Sequence, residues 1–378
     1  MRKIVFLTGT RADFGKLKSL ISITQNSESY EVHIFATGMH MNSLYGSTID
    51  EIRKACFDNI FPFINHDSVD HMDRTLAKTI DGFSHFIAEV KPDLIIVHGD
   101  RAEAMAGAIV GSLNNIIVAH IEGGEVSGTI DELIRHAVSK MSHIHLVTNE
   151  KAEKRLIQLG ELPNSIFVLG SPDLDLMNPE NLPKLSYVKE YYDIDFKFFS
   201  IAMFHPVTTE YENIRRDAKE FVDALIDSGE NYIVIYPNND LGSYEIISEY
   251  IRLDGYQKVK VFPSLRFEYF LVLLKNAECI VGNSSAGIRE APYYNTPTVN
   301  IGTRQNNRSE GDSIIHALNE KSSIIKAIAA AKKYSRDSPF KITDFGRGDS
   351  NKIFLKILNS DKIWNTGCQK QFQDVPYE

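Results

Sequence analysis

The chain has 378 residues, 43% hydrophobic and 24% charged, enough apolar material for two or three domains with separate cores. A net charge of −9 argues against a duplex nucleic-acid binder, which carries a basic footprint, but leaves room for an anionic ligand at a local arginine. Cys56, Cys279 and Cys368 are far apart and form no CxxC, no apolar run approaches a membrane span, and the first apolar run is too short for a signal peptide; a soluble cytoplasmic protein without a zinc knuckle or disulfide framework is expected.

Taken in chain order, short β-branched runs alternate with helix-length amphipathic segments. Strands are predicted at Lys3–Leu7, Val32–Ala36, Leu94–Val97, Ile116–Ala119, His145–Thr148 and Ile166–Leu169. After a change of texture near Asp173–Ser186 they resume at Phe198–Met203, Tyr232–Tyr236, Val259–Phe262, Cys279–Val281 and Thr298–Ile301. Continuous apolar strands separated by helices indicate parallel sheets covered on both faces. The series splits into two halves, so the expected fold class is α/β, with two Rossmann-like doubly wound domains facing a cleft. Residues 1–177 form the first and 178–360 the second, with "NPENLPKL" as the linker and 361–378, which holds Trp364, folding back onto the first.

In open parallel sheets, ligands bind beyond the carboxyl ends of the strands, so the polar residues there are the candidates. After the first strand, "GTRADFGK" offers a Gly turn and a helix start where Arg11 and Lys16 can grip a phosphate. "HGDR" places Asp100 and Arg101 at the next relevant end; a carboxylate there serves as a base, a ribose ligand or a helix cap. "HIEGGEVSGTIDELIRH" holds Glu122, Glu125, Asp131 and Glu132. Thr129 and Glu132 fit a capping box, which makes Glu132 structural. Asp131 lies in a first helical turn, where the dipole favours its charged form, and shares a helical face with Arg135. Glu122 directly follows a buried strand, and a poorly solvated Glu there tends to keep a proton. One acid inclined to be charged and one inclined to be neutral is the combination acid–base chemistry requires.

His143 and His145 read as structural histidines, and the Asp173/Asp175 pair as hinge or capping residues rather than metal ligands. In the second half, His205, Asn238 and Ser264 follow strands. Ser284 and Ser285 in "GNSSAGIREA" make the strongest diphosphate signal, with Glu290 suited to a ribose diol and Arg304 after another Gly turn.

Together "GTRADFGKLK", "TGMHM", "HGDR", "HIEGGE-SGTID--IRH", "MFHPVTTE", "GNSSAGIREA" and "GTRQ" resemble the hydrolysing UDP-N-acetylglucosamine 2-epimerases over nearly the whole chain. The resemblance implies a glycosyltransferase-B-like fold with no metal and no cofactor. The implied activity converts UDP-N-acetylglucosamine and water to N-acetylmannosamine and UDP, the entry to sialic acid synthesis. It assigns acid–base work to Asp100, Glu122 and Asp131. It assigns UDP contacts to Arg11, Arg101, His205, Asn238, Ser264, Ser284, Ser285, Glu290 and Arg304, with His40 and Arg135 near the sugar or phosphates. A homodimer or homotetramer is usual for such relatives. The rival readings are the same reaction on UDP-2,4-diacetamido-2,4,6-trideoxyglucose, a UDP-sugar glycosyltransferase, and a nucleotide-sugar sensor without chemistry.

Overall fold

The computed structural model describes residues 1–66, 71–127, 129–177, 179, 182–305, 311–334 and 348–374. Most of the expected linker is described, but Asn178, Glu180 and Asn181 lie outside the described residues. The chain divides into two units. One takes the described residues up to Glu125, then Asp131–Leu176 and the C-terminal segment from 348; the other takes Val126–Ile130 and the described residues from Met177 to 334.

The N-terminal unit is built on β1 (Arg2–Thr8), β2 (Tyr30–Ala36), β3 (Ile60–Pro62), β4 (Leu94–His98), β5 (Ile117–Ile121), β6 (Ile144–Val147) and β7 (Ile166–Val168). They pair in the order β3-β2-β1-β4-β5-β6-β7, all parallel. The second unit uses β8 (Ser200–Met203), β9 (Tyr232–Ile235), β10 (Val259–Phe262), β11 (Ile280–Gly282), β12 (Thr298–Ile301) and β13 (Ile314–Ala317) in the order β10-β9-β8-β11-β12-β13, also all parallel. Both orders reverse beside their first strand, which makes β1/β4 and β8/β11 the switch points where an open α/β sheet leaves a crevice.

Every strand expected from the sequence is present within one or two residues. The two additional strands, β3 and β13, are short and lie at sheet edges. β3 is partly exposed and ends in Pro62, which an edge strand tolerates because its N–H is not needed by a further neighbour.

The C-terminal segment joins the first unit earlier than the expected residue 361. Helix Ser350–Leu358 already buries Phe354 and Leu358 in that unit's core, Phe354 packing against Phe6. Asp175 fixes its start: the carboxylate accepts from the Ser350 and Asn351 backbone N–H groups at 2.9 and 3.0 Å. One half of the DxD pair therefore caps a helix 175 residues away, because the orphan N–H groups of a helix start need an acceptor. Further on, Trp364 stacks on Tyr30 beneath the Arg2 guanidinium, and the Lys370 ammonium reaches the carbonyls of Ser139, Lys140 and Ser142 and the buried Glu161. Lys370 thus satisfies the open carbonyls at the end of helix Ile130–Met141, the helix that carries Asp131 in its first turn.

Candidate functional site

The N-terminal unit brings five of its predicted residues to the ends of β1, β4 and β5. β1 ends in the turn Gly9–Thr10, and Thr10 caps helix Arg11–Gln25 by accepting from the Asp13 N–H at 3.1 Å. Arg11, the first residue of that helix, is held as a fork on Glu51, Nε to Oε2 at 2.8 Å and Nη2 to Oε1 at 2.6 Å. One turn on, Lys16 is buried, with Nζ 3.6 Å from Glu122 Oε1 and 3.2 Å from Asp173 Oδ2. The phosphate grip expected of Lys16 is therefore not what the structure places there: the ammonium is spent on two carboxylates, one of them 157 residues away.

Glu122 leaves β5 with φ of +67°, in the left-handed region, and is only 3% exposed. An L-residue held there costs about 1–3 kcal/mol, so the surrounding structure over-determines it. Its N–H donates to Leu146 O at 3.1 Å, and Gly124, at φ +75°, passes so close to helix Glu150–Gln158 that a Cβ would meet Ala152 O at 2.3 Å. The Gly pair turns the backbone as expected, but the surroundings of Glu122 are not apolar. Besides Lys16, its Oε1 lies 3.3 Å from His98 Nε2, and His98 Nδ1 lies 2.9 Å from Asp13 Oδ1. Burial alone would lower the His98 pKa; the neighbouring Glu122 and Asp13 carboxylates overcome this and raise it to about 9. The expectation of a lone, protonated Glu122 gives way to a carboxylate sharing its site with two bases.

Asp100 follows the Gly99 turn after β4 and pairs with the Arg135 guanidinium, which is 1% exposed. Arg135, expected beside Asp131 on one helical face, thus reaches the neighbouring strand end. The turn itself is held by His120, whose Nε2–H donates to Gly99 O at 2.8 Å. Burial pushes the His120 pKa down to about 3. Asp131 lies in the first turn of helix Ile130–Met141 as predicted, and Arg101 sits at the cap of helix Ala102–Leu113 with Nε 3.8 Å from the buried Glu103.

His40, which the resemblance puts near the sugar or phosphates, follows β2. It is sealed inside, bonded to Thr8 Oγ1 at 3.1 Å and Thr48 Oγ1 at 2.7 Å, and burial lowers its pKa to about 4. His143 and His145 are structural as read: His143 accepts from Val118 N–H and donates to Cys368 O, and His145 meets Glu161 at 2.9 Å. Among the described residues no group of three or more His, Cys, Asp or Glu side chains is placed to hold a metal ion.

In the second unit His205, Asn238 and Arg304 gather around Asn283, which the sequence reading passed over. Gly282 ends β11 at φ +140°, where a Cβ would meet Met203 O at 1.8 Å, so only glycine lets β11 lie this close to β8. Asn283 then clamps the β8 loop: Oδ1 accepts from the His205 N–H at 2.6 Å and Nδ2 donates to His205 O at 2.8 Å. The Asn238 N–H donates to His205 Nδ1 at 3.0 Å, which leaves the proton of the neutral ring on Nε2. Arg304 and Gln305 both donate to Asn283 O, at 3.3 and 2.9 Å. Ser284 caps the short turn Ser285–Gly287, and Glu290 is buried three residues beyond it. Ser264 follows β10 and is partly exposed.

A sequence profile described as UDP-N-acetylglucosamine 2-epimerase matches residues 23–359. The chain belongs to the UDP-N-acetylglucosamine 2-epimerase family. It is 47% identical to the UDP-N-acetylglucosamine 2-epimerase of Neisseria meningitidis serogroup B, over 99% of this chain and all of that protein. It is 36% identical to the hydrolysing UDP-N,N'-diacetylbacillosamine 2-epimerase of Legionella pneumophila, over 83% of this chain and 85% of that one. Among solved structures, the Methanocaldococcus jannaschii UDP-GlcNAc 2-epimerase in complex with UDP-GlcNAc and UDP superposes with a TM-score of 0.80, at 22% identity, over 95% of this chain and 99% of that one. This likeness establishes the glycosyltransferase-B-like fold of the 2-epimerase family. Among the described residues of this family member, no helix is long and apolar enough to cross a membrane.

Proposed function

We propose that the protein is a hydrolysing UDP-N-acetylglucosamine 2-epimerase of the cytoplasm, acting without metal or cofactor and opening a sialic acid-type pathway. The observation that carries this reading is the set of carboxylates Asp100, Glu122 and Asp131 at the ends of β4 and β5 and the start of the next helix, two of them paired with bases, in a chain of this family.

The C2 hydrogen of a hexosamine is not acidic enough for a carboxylate to remove directly. UDP leaves first with the electron pair of the C1–O bond, and the electron-poor C1 acidifies C2–H. Removal of that proton gives the 2-acetamidoglucal. Water then adds its oxygen at C1 while a proton returns to C2 from the opposite face, and the centre is inverted. The sum is UDP-N-acetylglucosamine plus water to N-acetylmannosamine plus UDP. Two acid–base groups are required. Glu122 is one, and Asp100 or Asp131 the other. The leaving diphosphate is held by the donors of the second unit: Ser284, Ser285, the His205 Nε2–H and Arg304.

Purified protein given UDP-N-acetylglucosamine in buffer alone is expected to release UDP and free hexosamine in equal amounts. A requirement for an acceptor would make it a transferase, and tight binding with no turnover a sensor. The Legionella relative favours a second substrate for comparison, the 2,4-diacetamido-trideoxy sugar nucleotide. The higher identity to the Neisseria enzyme leads us to expect the larger kcat/KM for UDP-N-acetylglucosamine.

A further inference from the structure

Four contacts join five side chains in the N-terminal unit: Asp13 Oδ1 to His98 Nδ1 at 2.9 Å, His98 Nε2 to Glu122 Oε1 at 3.3 Å, Glu122 Oε1 to Lys16 Nζ at 3.6 Å, and Lys16 Nζ to Asp173 Oδ2 at 3.2 Å. His98 is the middle of the first pair of contacts and is 9% exposed. A carboxylate faces each of its ring nitrogens. Neither approach has hydrogen-bond geometry, so the pairing is one of charge: an imidazolium between two carboxylates is stabilised by both, and a neutral ring by neither. Asp13 is itself fixed, because its other oxygen accepts from the Gly9 N–H at 3.0 Å.

We propose that His98, held as an imidazolium between Asp13 and Glu122, is a positioning residue for the epimerase reaction: its charge holds the Glu122 carboxylate in place, and its loss of a proton sets the alkaline limit of turnover. The proposal rests on the reading of Glu122 as an acid–base group. Helix Arg11–Gln25 contributes Asp13 and Lys16 to the surroundings, and β5 and the turn after it contribute His120 and Glu122. Asp173 lies behind Lys16, and the Asp100–Arg135 pair follows in the same loop as His98. His120, held near 3 by burial, stays neutral and adds no charge over the range in question. Across that range the Glu122 and Asp13 carboxylates keep His98 protonated up to about 9.

This arrangement separates from a merely structural histidine by its pH profile. Asp13→Asn still accepts from Gly9 but turns an NH₂ toward His98 Nδ1, which favours the neutral ring. The alkaline limb of kcat should move down by about one pH unit or more, with KM for the sugar nucleotide within about threefold of the parent. His98→Gln, which keeps a polar side chain but removes the charge beside Glu122, should lower kcat by roughly 10- to 100-fold and remove that limb, with UDP affinity unchanged. An unmoved alkaline limb in Asp13→Asn, or a loss in His98→Gln confined to KM, overturns the proposal. Nitrogen NMR of histidine-labelled parent protein gives a readout independent of folding of the variants and of turnover: both His98 nitrogens should show imidazolium shifts at pH 7.5. A neutral ring there refutes the proposal even in an active enzyme, and imidazolium shifts in a protein that does not turn over the sugar nucleotide would place the failure in the functional reading instead.

Discussion

Glu122→Gln is expected to lower kcat by roughly 10²–10⁴-fold, the usual contribution of a positioned proton carrier, while leaving UDP affinity unchanged. The amide keeps the size of the side chain and its burial at the end of β5, but cannot take or give the proton at C2. Weakened UDP binding with normal turnover would refute the assignment. Glu122→Gly tests the strain at the same position. A glycine adopts φ of +67° without penalty, so this variant should be equally inactive and yet about 1 kcal/mol less strained, offset by loss of the contacts to His98 and Lys16. Activity should therefore fall in both variants, whichever way their unfolding midpoints move.

Acid should unfold the protein well before its carboxylates are titrated. Burial holds His40 down at about 4 and His120 at about 3, against about 6.5 in the unfolded chain. Both are folded-state pKa values below the unfolded one, so their contribution is complete above about pH 6.5 and is lost as pH falls. At pH 4 the unfolded chain has bound two protons, of which the folded chain refuses nearly all of that on His120 and about half of that on His40, a loss of about 3 kcal/mol per histidine. His143 and His145 are shifted in the same direction, also by burial. His98 acts with the opposite sign: its pKa of about 9 is raised, so its contribution is complete below about pH 6.5 and is lost as pH rises through 9. Stability should peak near pH 6.5–7 and fall on both sides, most steeply toward acid. Urea unfolding at pH 4.5, 6.8 and 9.5 measures this, and a flat response between 4.5 and 6.8 would contradict the buried, neutral state of His40 and His120.

The sheets were legible because strands covered on both faces are continuous apolar runs, and both units are doubly wound as expected. β3 and β13 were not, because Phe61 and Pro62 of β3 are exposed and β13 carries the exposed His316 within its four residues, so neither is a continuous buried apolar run. For the site, the rule that ligands lie beyond strand ends found Asp100 and Glu122 and missed what they touch. Asp13 and His98 are 85 residues apart and meet only because β1 and β4 are neighbours. The signal available was His98, between the Leu94–Val97 run and the Gly99 turn, which was quoted in "HGDR" and given no role. Lys16 and His40 also have partners that sequence spacing does not show: one lies beside two carboxylates and the other is closed in by two threonine hydroxyls.

The measurement that bears most directly on the central claim is proton NMR of UDP-N-acetylglucosamine turnover in heavy water. Elimination followed by hydration predicts free UDP together with N-acetylmannosamine carrying deuterium at C2, since the returning proton comes from side chains equilibrated with solvent. Release of UDP with the original hydrogen still at C2, or interconversion of the two UDP-sugars with no net hydrolysis to free hexosamine and UDP, would contradict it.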